Sequence, residues 1–141
     1  MQKLILNKLT DLLETVTRVQ AVYPPLFEGE FTTYPCVVLQ VDSFTNDFQS
    51  TDDNFKEYQY KAWVIIQANK NKSASDIAKG TLLDTVDDVV AKLDDEWNGG
   101  TVDGHRLWFR VSTGLMGFEV TDKGKNVYQE LTILAKITTT N

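Results

Sequence analysis

One histidine and one cysteine limit the chemistry open to this chain. A zinc site with the usual nitrogen and sulfur ligands needs several such residues, so one chain cannot assemble it. His105 precedes Arg106 at the start of a strand-like run, where a surface or hydrogen-bonded imidazole is expected. Cys36 follows Pro35 in an apolar stretch and reads as a buried, inert thiol. The adjacent pairs Asp87–Asp88 and Asp94–Asp95 point about 100° apart on a helix, so neither makes a paired-carboxylate site. Asp52-Asp53-Asn54 lacks the alternate spacing and the glycine of a calcium loop. No glycine-rich loop joins a strand to a helix, so no phosphate cradle is indicated. The residues therefore predict no cofactor, no metal site and no catalysis.

The elements that would position any site are legible from periodicity. Residues 3–19 carry Ile5, Leu9, Leu12, Val16 and Val19 at helical steps, widened by Leu6 and Leu13. Pro24 and Pro25 stop any continuation. Residues 34–42 read as a strand with Pro35 at its start. Residues 43–54, SFTNDFQSTDDN, are polar and acidic and read as a long loop. Residues 55–68 are the longest strand signal. Tyr58, Tyr60, Ala62, Val64, Ile66 and Ala68 alternate on one face, as in a central strand.

A second helix runs to about Trp97, with two possible starts. Ser73 with Asp76 and Thr81 with Asp84 both fit a capping box, and Gly80 between them disfavours a helix interior. Its core stripe holds Leu82, Leu83, Val86, Val89, Val90, Leu93 and Trp97. Asn98-Gly99-Gly100 reads as its end. Strands are predicted at about 105–112, 115–121 and 126–138, the last two joined by a turn at Asp122-Lys123-Gly124-Lys125. The order α-β-β-α-β-β-β predicts an α+β domain, a mainly antiparallel β-sheet of about five strands with two helices packed on one face. At 141 residues the chain reads as a single domain, 1–141.

Charge is distributed unevenly. The chain holds 20 acidic and 14 basic residues. Residues 20–54 contain Glu28, Glu30, Asp42, Asp47, Asp52 and Asp53 and no base, so this segment carries the whole imbalance of −6. Such a face disfavours phosphate backbones and anionic membranes, which need clustered cations. The longest apolar run, residues 62–66, is far too short for a membrane span, and the N-terminus lacks the pattern of a signal peptide. A single cysteine fits a reducing compartment such as the cytosol. Asp94, Asp95 and Glu96 crowd the negative end of the second helix, a placement that costs a few tenths of a kcal/mol each and fits a use other than stability.

The arrangement resembles the tail terminator (tail completion) proteins of long-tailed bacteriophages. The likeness runs from the first helix through Tyr23-Pro24-Pro25 to Tyr34-Pro35-Cys36-Val37-Val38-Leu39. It continues through the acidic loop and the strand Tyr58-Gln59-Tyr60-Lys61-Ala62-Trp63-Val64-Ile65-Ile66. The helix segment Val86-Asp87-Asp88-Val89-Val90-Ala91-Lys92-Leu93 and the strand Val127-Tyr128-Gln129-Glu130-Leu131-Thr132-Ile133 complete it. Pattern and order carry the likeness, and no signature motif does.

The resemblance implies a structural virion protein assembled in the host cytoplasm at the head-proximal end of a tail. It implies a homo-oligomer, a hexameric ring that caps the tail tube and stops its polymerisation. The ring would offer a surface to a head-completion or connector protein and pass DNA through its lumen without specific binding. On this reading Asp47, Asp52 and Asp53 are expected toward the lumen or tube. Phe44 and Phe48 are expected to contact a partner, and Asp94, Asp95 and Glu96 to lie near a ring surface. Three other readings stay open: a head-completion or connector adaptor, an acidic inhibitor or immunity-type protein that masks a basic partner, and a cofactor-free enzyme using His105 and a carboxylate.

Overall fold

The computed structural model describes residues 1–48, 53–95 and 98–140, without the side chains of 44–48, 53, 54, 98, 99, 139 and 140. Helix α1 (Gln2–Glu14) leads to strands β1 (Ala21–Tyr23), β2 (Cys36–Phe48) and β3 (Asp53–Ala68). Helices α2 (Ala74–Ile77) and α3 (Leu83–Asp95) follow, then β4 (Asn98–Val102), β5 (His105–Thr121) and β6 (Gly124–Thr140). The strands make one sheet in the order β1-β2-β3-β6-β5-β4. Every pairing is antiparallel except the short parallel one between β1 and β2.

The architecture is mixed α+β as expected, but the sheet has six strands in place of about five. Two short strands, β1 and β4, add to the predicted set. The segments 105–112 and 115–121 are one strand, because β5 passes through Thr113-Gly114 with a bulge between Thr113 and Met116 and no turn. The predicted loop at 43–54 is a hairpin over most of its length. β2 runs on to Phe48 and β3 begins at Asp53, with Phe48 opposite Asn54. A bulge between Val41 and Ser43 shifts the side-chain alternation there, which hides the strand period from the sequence.

In an antiparallel pair, residues directly opposite share a face. That rule places Tyr58, Tyr60, Ala62, Val64 and Ile66 of β3 beside Val127, Leu131, Ile133, Ala135 and Ile137 of β6 on one buried face. Ile5, Leu9 and Leu13 of α1 and Val86, Val89 and Leu93 of α3 close the same cluster, so the helices pack on that face. Burying each Leu, Ile or Val fully contributes about 1.5–3 kcal/mol. The phenol of Tyr60 sits in this core and donates to the Gln2 carbonyl at 3.0 Å, which anchors the start of α1 over the centre of the sheet.

The bounds of the helices have local causes. α1 stops at Glu14, short of the predicted 19. Val16 and Val19 remain buried, but the backbone there tightens into three-residue turns, with Val16 N on Leu13 O and Val19 N on Val16 O. Thr15, Val16, Thr17 and Val19 are β-branched and poor at continuing a helix. Downstream, the first of the two candidate starts is the capped one, and Thr81 lies within a helical turn between the two helices. Ser73 Oγ accepts from Asp76 N to begin α2, and the turn Ala78–Leu82 kinks at Gly80 (φ −98°, ψ −110°) before α3 begins. Arg18 then reaches across to Asp88 at 2.8 Å and Asp84 at 3.4 Å, joining the end of the first helical segment to α3.

Candidate functional site

The residues most able to do chemistry stay apart. Cys36 lies level, through Ile65 and Tyr128, with Gly117 of β5. His105 stands twelve residues along that strand, roughly 40 Å away at strand rise. A Cys–His dyad is therefore impossible. The Cys36 thiol is buried, and burial pushes its pKa up to about 12. Among the described residues no group of three or more His, Cys, Asp and Glu converges as a metal would need. An open cleft of about 740 Å³ lies beside α2, lined by Tyr34, Pro35, Ile66, Lys72, Asp76 and Thr81 among others. Burial raises the Tyr34 phenol pKa there, and no nucleophile paired with a base faces the cleft.

The predicted contact residues gather at one end of the sheet. Phe44 stands opposite Tyr58, Asp47 opposite Phe55, Phe48 opposite Asn54, and Asp53 opposite Thr140 of β6. They belong to the β2–β3 hairpin, which corrects their assignment to a loop. Asp94 and Asp95 are exposed at the end of α3. Three residues after Asp95, Asn98 pairs with Trp108, which is level with Lys136, Glu57 and Thr45. The two acidic groups therefore share the hairpin end of the molecule. Asp52 and Glu96 lie outside the described residues.

The opposite end carries an aromatic loop. Tyr23 packs against Phe27 and Phe31 with ring centroids 4.7 and 4.8 Å away. The Thr32 amide donates to the Tyr23 hydroxyl, which lowers that phenol's pKa. Leu26 in this loop is 84% exposed. Glu30 pairs with Lys123 at 2.8 Å, tying the loop to the β5–β6 turn; the contact lowers the Glu30 pKa and raises that of Lys123.

Two further features escape the sequence reading. The first is a pair of open edges. Among the described residues β1 pairs with β2 only at Cys36, Val37 and Val38, which leaves the outer edge of β2 without a strand partner over 39–48. Among the described residues β4 pairs with β5 only through His105, Arg106 and Trp108, which leaves the outer edge of β5 without a strand partner over 109–121. The second is an exposed apolar strip on that β5 edge. Register puts Met116, Phe118 and Val120 on the helix-side face, opposite Gln129, Val127 and Lys125. None of the three belongs to the buried core or packs against it. Leu115 is 78% exposed, Phe118 55% and Val120 61%. The alternation of 116, 118 and 120 is visible in the sequence, but alternation alone reads as core.

No protein-family model matches the chain, and no curated protein sequence does. Among solved structures, the chain is similar to one from the virion of a native gene transfer agent (GTA) particle. The TM-score is 0.52 at 16% identity, and the match covers 99% of this chain and 95% of that one. At that identity the likeness is one of fold, and it extends from end to end of both chains.

Proposed function

We propose that this chain is a structural virion protein of the tail-terminator type, a ring subunit that caps a tail tube, stops its growth and presents a surface for head attachment. The observation that carries this reading is the end-to-end fold likeness to a chain of a gene transfer agent virion. The proposed role is mechanical and not enzymatic. Six copies would close on the tube end. DNA would pass through the lumen without adhering, because carboxylates repel phosphates and release no counterions. The hairpin bearing Asp47 and Asp53 would face the tube or lumen, with Asp94 and Asp95 at the same end of the molecule. Phe44 and Phe48 would meet the tube protein, and a head-completion or connector protein would dock on the far side.

Electron microscopy of the chain mixed with purified tail tubes tests this. The expected result is density at one tube end and no further elongation. Replacing Phe44 and Phe48 together with serine is expected to lower tube-end occupancy. Binding to the portal vertex of filled heads, and not to tube ends, would assign the chain to the head-side adaptors instead.

A further inference from the structure

A strand edge with unpaired backbone groups is a template for another strand. This molecule has two, on opposite sides of one sheet, and they differ in character. The β2 edge holds Asp42 and Asp47 and no base. The open stretch of β5, residues 109–121, holds one base, Arg110, and one acid, Glu119, with Arg106 just outside it under β4. Two β2 edges would repel each other, whereas a β2 edge set beside β5 meets no net charge and can reach Arg110. The directions also agree. β2 and β6 run one way, β3 and β5 the other, so rotating one copy beside the next brings β2 against β5 antiparallel. Each edge is partly capped at the start of its strand, by β1 at Cys36–Val38 and by β4 at His105–Trp108, and left open thereafter.

The apolar surface fits the same junction. Met116, Phe118 and Val120 lie on the helix-side face at the β5 edge. Val41, 41% exposed, sits on the helix-side face at the β2 edge, opposite buried Tyr60. A sheet continued across the junction keeps its faces continuous, so these apolar positions would cover one another. A contact in which one patch meets a different patch is heterologous, and repetition gives either a closed ring or a filament.

We propose that the open edge of β5, residues 109–121, pairs antiparallel with the open edge of β2, residues 39–48, of a second copy of this chain. Leu115, Met116, Phe118 and Val120 are covered at that junction. The proposal deepens the ring reading by naming its interface, and its test needs no tail tube.

Light scattering of the full chain across a concentration series is the readout, with circular dichroism to verify folding. The wild type is expected to move toward a defined oligomer as concentration rises. Leu115→Lys with Phe118→Lys spoils the β5 edge; Val41→Lys with Ser43→Lys spoils the β2 edge. All four positions are exposed. Each double variant alone is expected to stay monomeric, with association weakened about 100-fold or more. Mixed one to one, each variant still offers the other one intact edge, so the mixture is expected to form a dimer and nothing larger.

A mixture that stays monomeric, or a β5-edge variant that associates like the wild type, overturns the proposal. So does a wild type that is monomeric throughout. If the β5-edge variant still oligomerises but no longer occupies tube ends, the strip belongs to the tube protein. The interface proposal then fails while the capping role stands.

Discussion

The two halves of β5 have the same alternation and opposite fates. Leu107 and Phe109 in the first half are buried beneath the helices. Met116, Phe118 and Val120 in the second half continue the same face and stand in solvent. The difference lies in what covers the strand. Leu107 and Phe109 belong to the core that α1 and α3 close, and Met116, Phe118 and Val120 lie outside it. An apolar face is a property of the strand, whereas a core is a property of the strand and its cover. The surplus face is left to solvent in the monomer.

The sharpest way to break the comparison is to truncate equivalent positions in each half. Leu107→Ala should lower unfolding free energy by about 2–5 kcal/mol in a urea titration, since the side chain is fully buried. Phe118→Ala, on the bare half, should change monomer stability far less. Equal losses would mean that the second half is also packed.

Next in size is the turn that holds β5 and β6 in register. Gly124 sits at φ +148°, where a Cβ would run into the Ala68 carbonyl of β3. Gly124→Ala should cost about 1–3 kcal/mol by the same titration and loosen both halves together. An unchanged midpoint would show that the turn has room to shift.

A pH series probes the face of the sheet away from the helices, where register with Ile65 places the buried Cys36. The folded Cys36 pKa is raised from 9.0 to about 12 by burial. The folded state therefore disfavours the thiolate. The stability linked to this thiol is fully present below pH 9 and falls as the pH climbs from about 9 to 12. Between pH 8 and 10.5 the loss should be on the order of 1–2 kcal/mol, and it should be absent in Cys36→Ala. A thiol that reacts quickly with an alkylating reagent in the native protein would overturn the assignment.

The smallest effect on the monomer belongs to the bare half itself. Phe118→Ser should shift monomer stability by no more than about 0.5 kcal/mol. The same substitution should still weaken association in a dilution series. A large thermal shift without a change in association would reverse the comparison.

Much of this fold is written in residue order. The alternation of Tyr58, Tyr60, Ala62, Val64 and Ile66 marks a central strand, and β3 lies between β2 and β6. The stripe of Val86, Val89 and Leu93 marks the buried face of α3. The misreadings share a cause. At Val41/Ser43 and at Thr113/Met116 a bulge changes the phase of a strand that otherwise continues. A two-residue period read through such a point looks like the end of an element. β1 and β4 are too short, at 3 and 5 residues, to show any period. The candidate surface was less legible still. Charge placed six acids in one segment, and the structure divides them, with Asp47 and Asp53 at the hairpin end and Glu30 at the opposite end beside Lys123. The openness of an edge depends on which strands lie beside it, and neighbours separated by many residues leave no local trace.

Those same bulges bear on how many copies close a ring. A bulge bends its strand and steepens the local twist. β2 and β5 each carry one, so each edge strand leaves the plane set by the strands beside it. On the edge-to-edge assembly proposed above, the turn from one edge of a protomer to the other is added once per copy, and the assembly stops when those turns complete a circle. The bulges then act as the molecule's counting device. A substitution that straightens one would leave the strength of each junction intact and change the number of subunits around the axis.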